Sequence, residues 1–150
     1  MGLVNGIWEY DEGDSASPTF SELLNKLGDS VRDRFTAVIA DLTADTGWIA
    51  VPPIAPFSST GAQVRRIGNL VLFRGYFTGG ALSTGGTNVG TVPAGYRPPT
   101  GVDGSVSAVG LGSGALARAT VSAAGVISII PPTNGTAAVY LKGLSGYTVN

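Results

Sequence analysis

After Asp45 the chain carries one carboxylate, Asp103, and six of its nine cationic side chains: Arg65, Arg66, Arg74, Arg97, Arg118 and Lys142. Glycoside hydrolysis needs two carboxyl groups a few ångströms apart, so one such group in this region argues against a hydrolase confined to it. The sequence contains no histidine and no cysteine, which removes zinc sites, thiol redox chemistry and imidazole acid/base catalysis. Gly79-Gly80 and Gly85-Gly86 are not followed by Lys-Ser/Thr and open no helical pattern, so they read as turns, not as a phosphate loop. Neither an enzyme nor a cofactor is expected. The cations leave two readings open: scattered surface charge, or attraction to an anionic polymer such as a host cell-wall glycan. Nucleic acid fits less well, because the cations are dispersed and the first part of the chain is acidic. Tyr76, Tyr96 and Tyr147 offer rings that stack on sugars or pack half-buried. Among these residues Tyr96 and Arg97 are the preferred receptor contacts, because Pro93, Pro98 and Pro99 should hold them in an extended loop.

Those side chains need elements to carry them, and the chain supplies two kinds. Nine of its ten carboxylates precede Thr46, whereas 19 of its 23 glycines follow Asp45. The near-neutral formal charge of −1 therefore hides an acidic first part and a basic second part. Phe20, Leu24, Leu27, Val31, Phe35, Val38 and Leu42 recur every three or four residues, which is a helical stripe. Thr19 and Glu22 have the spacing of a capping box, and Pro18 keeps Ser17 out of the helix. At Phe35 a step of four replaces three, placing Arg34 where a strict heptad wants an apolar residue and locally relaxing a left-handed supercoil. The rod would be about 36 Å long. Two fates are open to its stripe: packing on the chain's own sheet, or a parallel bundle of copies. The second is preferred, because no other helical pattern exists to pair with it, and a chain without disulfides gains stability from oligomerisation. The seven stripe residues are then the trimer interface.

Ahead of the helix, Ile7, Trp8 and Tyr10 sit in an acidic surround, where they either pack on the same molecule or dock to another protein. From Thr46 the period becomes two. Trp48 to Val51 reads as a short strand ended by Pro52-Pro53, with Pro56 keeping the linker extended. Ala62–Ile67 and Leu70–Thr78 flank Gly68-Asn69 as a hairpin, and apolar residues on both faces of the second make it central. Residues 79–90 read as a loop, residues 89–92 as a strand. Further strands are expected at 104–111, 115–122, 126–130 and 137–144, with Ala123-Ala124-Gly125 as a tight turn. Seven to nine short strands at such spacing indicate an antiparallel β-sandwich or jelly roll. No basic segment precedes an apolar run and no stretch of 18 apolar residues occurs, so neither a secretory signal nor a membrane span is expected.

The opening Asn-Gly-Ile-Trp-Glu-Tyr-Asp-Glu-Gly-Asp (5–14) and the later Phe-Ser-Glu-Leu-Leu-Asn-Lys-Leu-Gly-Asp-Ser-Val-Arg (20–32) resemble the N-termini of small minor tail or tail fibre proteins of phages that infect actinobacteria. Leu-Val-Leu-Phe-Arg-Gly-Tyr-Phe-Thr-Gly-Gly (70–80) and Gly-Thr-Val-Pro-Ala-Gly-Tyr-Arg-Pro-Pro (90–99) look like the β-sandwich heads of phage receptor-binding proteins. The resemblance implies a homotrimer on the virion surface, attached to other virion structural proteins through its N-terminus, with the β head outermost. The expected organisation is an attachment segment (1–18), a coiled-coil helix (19–45), a linker strand (46–56) and a β-sandwich head (57–150). Host-surface binding is the leading function. A purely structural tail, baseplate or head-fibre protein is the alternative, and a glycan depolymerase is the least favoured.

Overall fold

The computed structural model describes residues 2–4, 7–9, 19–111, 115–144 and 146–149, in two units, Met1–Ala40 and Asp41–Asn150.

In the first unit, β1 (Gly2–Val4) pairs antiparallel with β2 (Ile7–Glu9), with Val4 opposite Ile7. The helix α1 spans Phe20–Thr43. Its start is the expected capping box: the Thr19 amide donates to Glu22 Oε2 at 2.6 Å, and the Glu22 amide donates to Thr19 Oγ1 at 3.3 Å. The Thr19 amide, with the Thr19 hydroxyl donating to the same oxygen at 3.1 Å second, holds the Glu22 carboxyl below its ordinary value. No described residue of α1 is buried.

The second unit is antiparallel β. Its strands are β3 (Ile49–Ala50), β4 (Ser58–Ile67), β5 (Leu70–Thr78), β6 (Ala81–Leu82), β7 (Thr87–Thr91), β8 (Val102–Val109), β9 (Leu116–Val121), β10 (Val126–Ile130), β11 (Gly135–Thr136), β12 (Ala138–Tyr140) and β13 (Tyr147–Thr148), with a 3-10 turn at Leu141–Leu144. The expected hairpin across Gly68-Asn69 is present, with Ile67 opposite Leu70. β5 is central as expected: β4 lies on one side, and β12 and β13 share the other. Gly125 closes the β9–β10 turn at φ 87°, a conformation that costs glycine little.

In place of two separately bonded layers, one sheet runs β3-β4-β5-β12-β8-β9-β10-β7, and a separate pair is formed by β6 and β11. The chain after β3 then bonds to the far strand. The Thr91 amide donates to the Pro52 carbonyl at 2.9 Å and the Ile54 amide to the Val89 carbonyl at 3.0 Å, with Pro53 opposite Gly90. The sheet thus curls until its two edges meet. Residues 46–56, expected as a linker, are part of this closure, and Val51 is buried. Pro52 and Pro53 end one strand pairing, as expected, and a second begins there, which suits residues without an amide to give a ladder. Pro56 corrects a further expectation: it sits in a turn with a cis Ala55–Pro56 bond, not in an extended segment.

The interior is filled by side chains such as Val64, Phe77, Leu82, Ile127, Ile129 and Leu141, all at most 2 % exposed. Each contributes about 1.5–3 kcal/mol on leaving water. Leu82 corrects the loop assigned to residues 79–90. It anchors that segment in the core, β6 pairs with β11, and the Thr84 amide donates to Asn134 Oδ1 at 2.8 Å.

Candidate functional site

The helical stripe is bare. Phe20, Leu24, Leu27, Val31, Phe35, Val38 and Leu42 each keep between 48 % and 76 % of their surface exposed, and Leu23 and Ile39 widen the band. An apolar helix face of this extent is normally covered in the working protein. Phe20, Val31 and Leu42 are eleven residues apart, as are Leu24 and Phe35, and Leu27 and Val38. An eleven-residue repeat gives 3.67 residues per turn and a nearly straight or slightly right-handed seam. The step at Phe35 is therefore part of a regular period and not an interruption.

The chain enters the β unit through Asp41–Gly47. The Gly68 amide donates to the Ala44 carbonyl at 2.7 Å, the Arg66 amide to Thr46 Oγ1 at 2.9 Å, and the Arg65 Nε to Asp45 Oδ1 at 2.7 Å. The Arg65 guanidinium, with the Gly47 amide second, holds the Asp45 carboxyl below its ordinary value. This fixes one end of the unit as the end where the chain arrives.

Tyr96 and Arg97 are at that end. They are not extended: the Tyr96 amide donates to the Pro93 carbonyl at 3.2 Å, closing a turn. Three side chains stitch the turn down. Arg97 Nε donates to the Val92 carbonyl (3.0 Å), Arg66 donates to the Gly95 carbonyl (3.1 Å), and Tyr147 Oη donates to the Tyr96 carbonyl (2.6 Å). Burial raises the pKa of the Tyr147 hydroxyl, and it stays a donor. Arg97 remains exposed while its Nε is engaged, and Tyr96 packs on the core. Ile7 and Trp8 lie on β2, and Tyr10 is outside the described residues.

The opposite end holds a cleft of about 430 Å³ lined by Thr78, Gly79, Val109, Thr136, Ala137 and Ala138. It presents hydroxyls and backbone and no charge. A second cleft of about 310 Å³, lined by Asp103, Gly143 and Tyr147 among others, lies towards the chain-arrival end. Asp103 accepts from Arg118 at 2.7 Å. Among the described residues there is no cluster of carboxylates able to hold a metal ion.

The outer face of β3, β4 and β5 gathers a set that sequence reasoning treated residue by residue. Arg74 on β5 lies opposite Gln63 on β4, and its Nε donates to Gln63 Oε1 at 2.7 Å. Its guanidinium carbon stands 4.4 Å from the centre of the Trp48 ring, and that of Arg65 stands 5.9 Å away. Both distances suit cation–π attraction. Two residues beyond Arg74, Tyr76 stacks against Tyr140 of β12, with ring centres 4.9 Å apart. Across the strands the row continues from Tyr140 to Ser107 and Leu116. The signal was available: Arg65, Arg74 and Tyr76 alternate with core residues in a recognisable hairpin, and Trp48 immediately precedes β3.

No family model and no curated protein matches the chain. Among solved structures it is similar to the receptor binding protein gp15 of Listeria phage PSA, with a TM-score of 0.57 and 18% identity, over 90% of this chain and 83% of that one. The two share a fold. A match over 90% of the chain extends beyond Asp41–Asn150, so the likeness takes in part of the N-terminal unit as well as the curled sheet. The head domain of lactococcal phage bIL170 is also similar, with a TM-score of 0.47 and 19% identity over 61% of this chain and 90% of that one.

Proposed function

We propose that the chain is a receptor-binding protein of a phage virion, exposed on the particle surface. The observation that carries this reading is the fold shared with gp15 of Listeria phage PSA over most of both chains. In this reading the N-terminal segment, with Ile7, Trp8 and Tyr10, attaches to other virion proteins. The bare stripe of α1 gathers three parallel copies, and the β unit adheres to the host cell surface. Actinobacteria are the proposed hosts, on the resemblance carried by residues 5–14 and 20–32. The reading contains no catalytic step, no cofactor, no nucleic acid and no membrane partner.

Purified full-length chain, fluorescently labelled, is incubated with intact cells of actinobacterial, Listeria and lactococcal strains. The reading expects saturable, strain-selective retention that excess unlabelled chain displaces. Absence of retention on every strain contradicts it and favours a purely structural place in the particle.

A further inference from the structure

Of the cations in the β unit, most have their charge or donors engaged by the fold. Arg65 is paired with Asp45, and Arg118 with Asp103. Arg66 and Arg97 donate to backbone carbonyls in the 92–97 turn. Arg97 and Arg74 each use only Nε, on the Val92 carbonyl and on the neutral Gln63 respectively, and the terminal nitrogens of Arg74 meet no acceptor among the described residues. What sets Arg74 apart is the Trp48 ring, whose centre lies 4.4 Å from its guanidinium carbon. Arg74 is exposed, yet Gln63 on one side and the Trp48 ring on the other hold it in place. A guanidinium fixed in this way has given up its side-chain freedom before any ligand arrives, and it presents a flat fork of N–H donors that matches an oxyanion.

The surroundings add a second feature. Tyr76 follows on the same face, and its ring with that of Tyr140 makes a shallow aromatic shelf, Tyr140 being 41 % exposed. Tyrosine rings with accessible faces and edges take the C–H faces of sugars while their hydroxyls bond to sugar oxygens. A cation with free donors beside such a shelf is suited to a ligand that is both anionic and polyhydroxylated.

We infer that Arg74, held by Trp48 and Gln63 and flanked by Tyr76 and Tyr140, is a binding site for an oxyanion carried on a sugar or sugar alcohol, as in a phosphodiester-linked or uronate-containing wall polymer. The inference rests on the receptor-binding reading for its biological setting and moves the anion contact from Arg97 to Arg74. Trp48 acts by positioning, since its ring is occupied by the guanidinium. Arg65 contributes little net charge, because Asp45 neutralises it.

The test uses the full-length chain. Its tryptophan indole N–H resonances are followed by NMR while sn-glycerol 3-phosphate, glucuronate or uncharged glycerol is added, the Trp48 signal being identified by its loss in Trp48→Phe. The expected result is a saturable shift of the Trp48 resonance with at least one of the two anions and none with glycerol. Which anion acts separates the phosphodiester from the uronate source. Arg74→Gln, checked for an unchanged melting temperature, should weaken the response roughly tenfold or more, whereas Arg118→Gln should leave it intact. No saturable shift from the native chain with either anion, an equal shift with glycerol, or an Arg74→Gln chain that responds like the native one would each overturn the site. These outcomes are separate from failure of the receptor reading, which shows as absent retention on cells whatever the titration gives.

Discussion

At the scale of single residues, Gly75 illustrates how a chemically silent position limits the molecule. It sits at φ 78° beside the irregularity between Thr60 and Gln63, and a Cβ there would run into the Gly61 carbonyl. Gly75→Ala should therefore cost on the order of 2–4 kcal/mol, from the strained backbone and the collision together, read as a lower urea midpoint. Asp45 gives a pH prediction. Its carboxyl is held below its ordinary 3.8, chiefly by Arg65. A depressed folded value stabilises the protein above the ordinary value, and that stabilisation fades as pH falls through the lower one. Thermal stability should thus fall below about pH 4, and Asp45→Asn should remove that part of the acid response in a melting series from pH 7 to pH 2. Arg97 shows why some residue roles were not legible. The flanking prolines suggested extension, but the turn is decided by the Val92 carbonyl, Arg66 and Tyr147, and the last two come together with it only in the folded sheet. By contrast, Thr19 and Glu22 interact over three residues, and their capping box was readable directly.

Elements obey the same division between local and distant causes. The helix, the hairpin at Gly68-Asn69 and the turn at Gly125 rest on short-range patterns, and each occurs where the sequence puts it. Closure of the sheet was not legible, because the bond from the Thr91 amide to the Pro52 carbonyl and that from the Ile54 amide to the Val89 carbonyl join segments far apart in sequence. The role of Leu82 was hidden by its glycine- and serine-rich neighbours. For the helix, Thr19→Ala should lower its stability by about 1 kcal/mol through loss of the cap, seen as reduced helical circular dichroism on heating. Leu27→Asp places three carboxylates near the axis of a trimeric bundle, where each costs several kcal/mol unless it is neutralised. Light scattering should therefore give the native chain three times its 15.1 kDa mass and the variant a single one. A native monomer, or a variant that stays trimeric, would set the bundle aside.

The whole molecule joins an acidic first part with a bare helix face to a cationic β unit whose fold matches that of a phage receptor-binding protein. If three β units are presented together, a weak contact at each becomes a firm attachment, because the second and third bind at high effective concentration. An anion contact at Arg74 would add a salt dependence, since exposed charges are screened beyond about 8 Å at physiological ionic strength. The two parts of the account, self-association through α1 and adhesion through the β unit, meet in one measurement: retention on a responsive strain of native chain and of Leu27→Asp chain at equal protein concentration, the β unit of the variant being verified as folded by its melting transition. The account predicts firm retention of the native chain and a loss of roughly a hundredfold or more in apparent affinity for the variant. Equal retention of the two, or no retention of the native chain on any strain, would contradict it.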